Sequence, residues 1–183
     1  MELDLERCTV RSWRLDDMES LVRHANNRKV WRNLRDSFPH PYTLEDAEEW
    51  VTIAGAQDPE VNFAIAVDDV AVGGIGFELQ TDVFRKSAEI GYWLGERFWG
   101  QGIMTEAVRA VTSFGFATLG FERIYAGVFS WNPGSARVLE KVGYEFEAKL
   151  RNAIYKEGHL LDEYIYATWP DRWQPDEVLV TPP

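Results

Sequence analysis

The segment from Ala88 to Phe129 constrains the fold more than any other. Ala88 to Leu94 reads as a strand, with Ala88, Ile90, Tyr92 and Leu94 on one face and Glu89, Gly91 and Trp93 on the other. A glycine loop follows, Arg97-Phe98-Trp99-Gly100-Gln101-Gly102. Ile103, Met104, Ala107, Val108, Val111 and Phe114 then recur at helical spacing through Leu119. Arg123 to Phe129 is again a strand. Two strands joined by a crossover helix in one sheet run parallel. The other strands come in hairpins, so this pair should sit within a mixed sheet.

Upstream, Val10 to Trp13 reads as a first strand, and Asp16 and Asp17 can cap a helix bearing Met18, Leu21, Val22 and Ala25 on one face. The Asn26-Asn27 pair ends it. Trp31 to Asp36 is expected to be a short helix, followed by the proline-punctuated loop Phe38-Pro39-His40-Pro41-Tyr42. Thr43 and Asp46 form a capping box for Leu44 to Ala54, and Gly55 stops that helix. Phe63 to Val67 and Val70 to Leu79 are strands joined at Asp68-Asp69. Tyr144 to Arg151 and Leu160 to Thr168 make a closing hairpin around Lys156-Glu157-Gly158. The fold class is therefore α/β (α+β), with helices packed on a mixed, mostly antiparallel central sheet.

The 183 residues suit one domain, 1–183, with a core over about 8–169 and a proline-containing tail over 170–183. Cys8 is the only cysteine, which excludes an internal disulfide and a cysteine-based zinc cage. No arrangement of residues suggests a metal site. The N-terminal segment lacks a basic region followed by an apolar run, and no stretch reaches membrane-spanning length. A cytoplasmic protein is expected. The net charge of −11 disfavours nucleic acid and anionic membranes and favours cationic partners.

Two segments carry chemistry. In the glycine loop, Gly100 and Gly102 let the backbone turn and approach a ligand closely, and the helix beyond adds unpaired N–H groups and a positive dipole end. Arg97 could pair with a phosphate oxygen. No Lys-Ser or Lys-Thr follows Gly102, so this is not a nucleotide P-loop. Read alone, the loop also suits a plain strand-to-helix turn. The second segment is Asn132-Pro133-Gly134-Ser135, closing at Lys141-Val142-Gly143-Tyr144. Asn132 suits an N-cap, Pro133 the first helical position and Gly143 the C-terminal stop.

In this order and at this separation, the two segments resemble the acyl-coenzyme A elements of the GNAT family of N-acetyltransferases. The resemblance runs from Val10 to Trp169. Its closest branch looks like the ribosomal-protein N-acetyltransferases (RimJ/RimL-like), on Pro41-Tyr42-Thr43-Leu44-Glu45-Asp46-Ala47, Ala88 to Leu94 and the Gly158–Asp162 turn. It implies a sheet whose parallel pair splays in the middle, with helices on both faces. It implies acetyl-coenzyme A as co-substrate, its pyrophosphate held by Arg97, Phe98, Trp99, Gly100, Gln101, Gly102 and Ile103. The pantetheine arm would lie along the strand through Tyr92, Trp93 and Leu94, with Asn132 and Ser135 beside the acetyl group and sulfur.

Acetyl transfer needs a deprotonated amine, a polarised carbonyl and a stabilised thiolate. Glu89 is the candidate base. Many relatives carry a proton-donating Tyr on the Asn helix, where this chain has Leu139, so Ser135 becomes the candidate donor. Glu89 also suits an ordinary solvated strand position, and Ser135 an ordinary first-turn helix position. Trp31, His40 and Tyr42 are candidate acceptor contacts, while His24 reads as a surface residue. The expected acceptor is a protein N-terminal α-amine. A small amine is the variant, and a non-catalytic acyl-coenzyme A-binding module the competing class. The tail and exposed sheet edges are compatible with a homodimer, and the sequence does not fix the oligomeric state.

Overall fold

A computed structural model describes residues 1–174. The strands are β1 (Glu2–Asp4), β2 (Thr9–Arg11), β3 (Asn62–Val67), β4 (Val70–Leu79), β5 (Ser87–Leu94), β6 (Arg123–Phe129), β7 (Glu145–Lys156) and β8 (His159–Thr168). The α-helices are α1 (Met18–Ala25), α2 (Arg28–Trp31), α3 (Leu44–Gly55), α4 (Ile103–Ala117) and α5 (Pro133–Val142). The sheet has the order β1-β2-β3-β4-β5-β6-β8-β7. Its β5–β6 pair is parallel, as the crossover requires, with Ser87, Ala88 and Glu89 facing Arg123, Ile124 and Tyr125. The chain divides into two compact units, Met1–Phe77 with Gly91–Ala107, and Glu78–Ile90 with Val108–Pro183. Strands β4 and β5 and helix α4 each run from one unit into the other.

In the first unit, β1 to β4 form an antiparallel series. The β3–β4 turn is made by Asp68 and Asp69, both left-handed at φ 51° and 64°. That geometry matches the twist of a two-residue hairpin. Thr43 and Asp46 cap α3 reciprocally. The Thr43 hydroxyl accepts from the Asp46 N–H at 3.2 Å, and the Asp46 carboxylate accepts from the Thr43 N–H at 2.7 Å. The Thr43 hydroxyl also donates to the Asp46 carboxylate at 2.6 Å, and that bond, with the one from the Thr43 N–H, holds the Asp46 carboxyl below its ordinary pKa. The apolar faces of α1 and α3 bury Leu21, Ala25, Ala47 and Val51 with Trp13. Below them Arg11, 2% exposed, grips Asp17 through two 2.8 Å bonds.

In the second unit β6, β8 and β7 pair antiparallel. The hairpin turn falls at Glu157 and Gly158, again both left-handed. Thr112 on α4 and Tyr144 after α5 share a buried 2.7 Å hydrogen bond. Most of the expected tail lies outside the described residues. Its start packs back: Trp173 is buried, donating its indole N–H to Ser113 at 2.9 Å.

Three local expectations are corrected. The short helix is Arg28–Trp31 rather than Trp31 to Asp36, because Asn27 accepts from the Lys29 N–H at 2.8 Å and starts it earlier. The Asn26-Asn27 pair thus ends one helix and caps the next. β1 went unread because three residues with acidic ends carry no apolar alternation. β7 runs past Arg151 to Lys156, since its register shifts between Leu150 and Ile154 break the period-2 pattern there.

Candidate active site

The first unit carries the glycine loop. Leaving β5, the Gly95 N–H still bonds the Val72 carbonyl on β4 at 2.8 Å. A short 3-10 turn over Glu96–Phe98 follows. The Trp99 indole N–H then returns to the Leu94 carbonyl at 2.7 Å, and the Gln101 amide donates to the Arg97 carbonyl at 2.8 Å. Gly100 and Gly102 stand at φ 75° and 84°. A side chain at either would be strained, so the glycines are demanded by the turn itself. The first backbone bond of α4 runs from the Glu106 N–H to the Gly102 carbonyl at 3.1 Å. The amides from Gly100 to Thr105 precede it, and none has a backbone acceptor among the described residues. Residues 99–102 are exposed. The result is a run of amides without backbone acceptors at a helix N-terminus, its first residues exposed and Ile103 and Met104 buried, chemistry that fits a pyrophosphate. Arg97 is exposed, its guanidinium 4.9 Å from the centre of the Phe98 ring.

Several residues that shape this loop were not read from sequence. His24 is buried at 7% exposure, which corrects the expectation of a surface residue. Its ring meets the Phe98 ring at 5.5 Å and lies so close to Gly95 that a Cβ there would stand 2.9 Å from Nδ1. Burial holds its pKa below the ordinary histidine value, and the positive charges of Arg97 and Arg23 act in the same direction. Glu96 accepts from the Asn27 side chain at 2.9 Å and pairs with Lys29, which keeps its carboxyl below the usual range. Arg7 pairs with Glu106 in the first turn of α4. These partners are far apart in sequence, so no local pattern could announce them.

The candidate acceptor residues also lie in the first unit. Trp31 and His40 stack at 5.3 Å with planes 24° apart. Tyr42 is buried, its ring 5.0 Å from Phe38, and burial pushes its hydroxyl well above the usual tyrosine pKa. Phe38 in turn meets Trp93 of β5 at 5.7 Å. Tyr92 and Trp93 are half-buried and Leu94 is buried.

The second unit carries Glu89, Asn132 and Ser135. Glu89 is half-buried on β5, opposite Tyr125 in the ladder. Asn132 caps α5 as its sequence requires, its side-chain oxygen accepting from the Ser135 N–H at 3.2 Å. Pro133 is the first helical residue, and Gly143 ends the helix at φ 97°. Leu139 is fully buried and offers no proton. Among the described residues, no group of three or more His, Cys, Asp or Glu side chains could hold a metal ion, and no helix is long and apolar enough to cross a membrane.

The sheet order, the parallel pair and a glycine loop opening the crossover helix define an acyltransferase fold. The acetyltransferase (GNAT) domain matches residues 7–145, and the chain belongs to that family of N-acetyltransferases. Among relatives, the uncharacterized N-acetyltransferase p20 of Bacillus licheniformis is 29% identical over 165 residues, covering 88% of this chain and 92% of p20. The ribosomal-protein-serine acetyltransferase of Escherichia coli is 31% identical over 105 residues, covering 57% of this chain and 58% of its own. A solved GNAT acetyltransferase from Bacillus anthracis superposes with a TM-score of 0.79 at 25% identity, covering 92% of this chain and 98% of that one. RimL, a ribosomal-protein alpha-N-acetyltransferase solved in complex with coenzyme A, shares the fold at a TM-score of 0.80 and 22% identity, covering 94% and 99%.

Proposed function

We propose that this N-acetyltransferase moves the acetyl group of acetyl-coenzyme A onto a protein N-terminal α-amine, in the manner of the ribosomal-protein enzymes it resembles. The observation that carries the coenzyme half is the run of amides from Gly100 to Thr105, which includes two left-handed glycines and has no backbone acceptor among the described residues. A polyanion needs such donors in a chain of net charge −11. Coenzyme A in the RimL structure supports the same choice. The acceptor half is supported by the names of the E. coli relative and RimL, and by an acidic field that attracts a cationic amine.

The chemistry follows from the residues. An α-amine has a pKa near 8, so about a tenth is already neutral at pH 7 and the rest must give up a proton. Glu89, directly or through water, receives it. The neutral nitrogen attacks the thioester carbonyl, sheds its second proton to water as the amide forms, the carbon–sulfur bond breaks, and the thiolate leaves. Ser135 stabilises the sulfur with a hydroxyl hydrogen bond. Because Leu139 supplies no acid, that bond replaces full proton donation. Tyr92, Trp93 and Leu94 line the pantetheine, and Trp31, His40 and Tyr42 shape the acceptor side. The reaction belongs in the cytoplasm.

A thiol-release assay with acetyl-coenzyme A tests the reading against N-terminal peptides, polyamines, amino acids and aminoglycosides. Acetylation of peptide α-amines, confirmed by mass, is expected. Turnover confined to small amines would replace the acceptor. Coenzyme binding with no turnover on any amine would make the chain a binding module.

A further inference from the structure

We propose that Arg7 is a ligand of the coenzyme pyrophosphate, held against Gly102 by Glu106; the proposal rests on the glycine-loop reading above. After β1 the chain makes a tight turn, with the Leu5 N–H bonded to the Cys8 carbonyl at 2.9 Å. This turn brings Arg7 to the start of α4, although 99 residues separate it from Glu106. The Arg7 backbone N–H donates to Glu106 Oε2 at 3.0 Å, and its Nη1 bonds the other oxygen of the same carboxylate. Glu106 therefore fixes both the backbone and the head of Arg7.

The position so fixed is the edge of the loop. Arg7 Cδ and Nε lie 3.4 Å from where a Cβ on Gly102 would stand. Both bonds to Glu6 and the bond to Glu106 use Nη1 and Nη2. Nε, the donor beside Gly102, carries no bond among the described residues. The side chain is 44% exposed, so a phosphate can reach it.

Charge gives the arrangement its purpose. A bare Glu106 carboxylate in the first turn of α4 would repel the phosphate that the helix N-terminus attracts. Arg7, which Glu106 shares with Glu6, offsets part of that charge and turns its Nε donor toward the loop, where it suits a phosphate oxygen. It supplements Arg97, the loop's own cation, which lies over Phe98. Arg7 is a binding residue by this account, and Glu106 a positioning residue.

Calorimetry with coenzyme A, dephospho-coenzyme A and pantetheine tests it on wild type, Arg7→Gln, Glu106→Gln and Gly102→Val. Arg7→Gln should weaken coenzyme A and dephospho-coenzyme A equally, by about tenfold, and leave pantetheine unchanged. Glu106→Gln keeps an oxygen for Arg7 and removes a negative charge, so it should bind both pyrophosphate ligands at least as tightly as wild type. Equal losses in Arg7→Gln and Glu106→Gln would reduce the pair to a brace for the N-terminal turn and overturn the proposal. Unchanged affinity in Arg7→Gln, or a loss restricted to coenzyme A, would also overturn it. Should Arg7→Gln fail to fold, Arg7→Lys decides: a several-fold loss on both pyrophosphate ligands is expected, and wild-type affinity contradicts the contact. Gly102→Val separates the two levels, because wild-type affinity in that variant sinks the loop reading itself.

Discussion

Trp99 donates its indole N–H to the carbonyl oxygen of Leu94 across 2.7 Å. This bond ties the glycine loop to the last residue of β5. Trp99 is 44% exposed, so the bond does more than burial to hold the ring. Trp99→Phe keeps an aromatic ring and loses the donor. It should cost about 1 kcal/mol of stability and weaken coenzyme A binding several-fold by loosening the loop. Chemical denaturation and calorimetry check both effects. A variant that loses stability but binds coenzyme normally would separate this bond from the site.

His24 makes stability depend on pH. Its folded pKa lies below the ordinary value, so the unfolded chain binds a proton that the folded chain resists. Stability rises with pH wherever the unfolded state binds more protons. The contribution is therefore complete above about pH 6.5, declines as pH falls through that value, and levels off below the lowered folded value. His24→Gln should show a flatter stability curve between neutral and mildly acidic pH. Identical curves for both proteins would mean that other groups set the slope.

Glu89 is expected to govern turnover. Glu89→Gln keeps the shape and removes the proton acceptor, so kcat should fall by about 100-fold while coenzyme affinity is preserved. A wild-type kcat in Glu89→Gln would leave Glu89 as a strand residue only.

Ser135 is expected to act on the leaving thiolate. Its backbone N–H is already held by Asn132, so Ser135→Ala should leave α5 folded. Removing a hydroxyl bond to developing thiolate should slow single-turnover acetylation by about tenfold at saturating coenzyme. A wild-type single-turnover rate in Ser135→Ala would show that the sulfur leaves without this residue.

Much of the fold was legible because its signals are local. The Thr43–Asp46 capping box, the Asn132 and Gly143 helix ends, and the paired aspartates of the β3–β4 turn each use neighbouring residues. The parallel β5–β6 pair was legible from a chirality rule acting on a strand–helix–strand pattern. Long-range partners were not. Arg7 with Glu106, His24 under Gly95 and Asn27 with Glu96 join segments separated by tens of residues, and no periodicity records such meetings. β1 shows the same limit, since pairing with β2 rather than its own composition makes it a strand. Trp173 reads as tail in sequence and is buried because Ser113 and the rings of Phe116 and Tyr144 receive it.

The loop amides give the most direct test of the account. NMR measurement of amide exchange and chemical shifts, with and without coenzyme A, resolves residues Gly100 to Thr105 one by one. The account predicts that coenzyme A shifts these amides and slows their exchange, while pantetheine leaves them as they are in the free protein. Saturating coenzyme A with no change at any of these amides would contradict the claim that they hold the pyrophosphate.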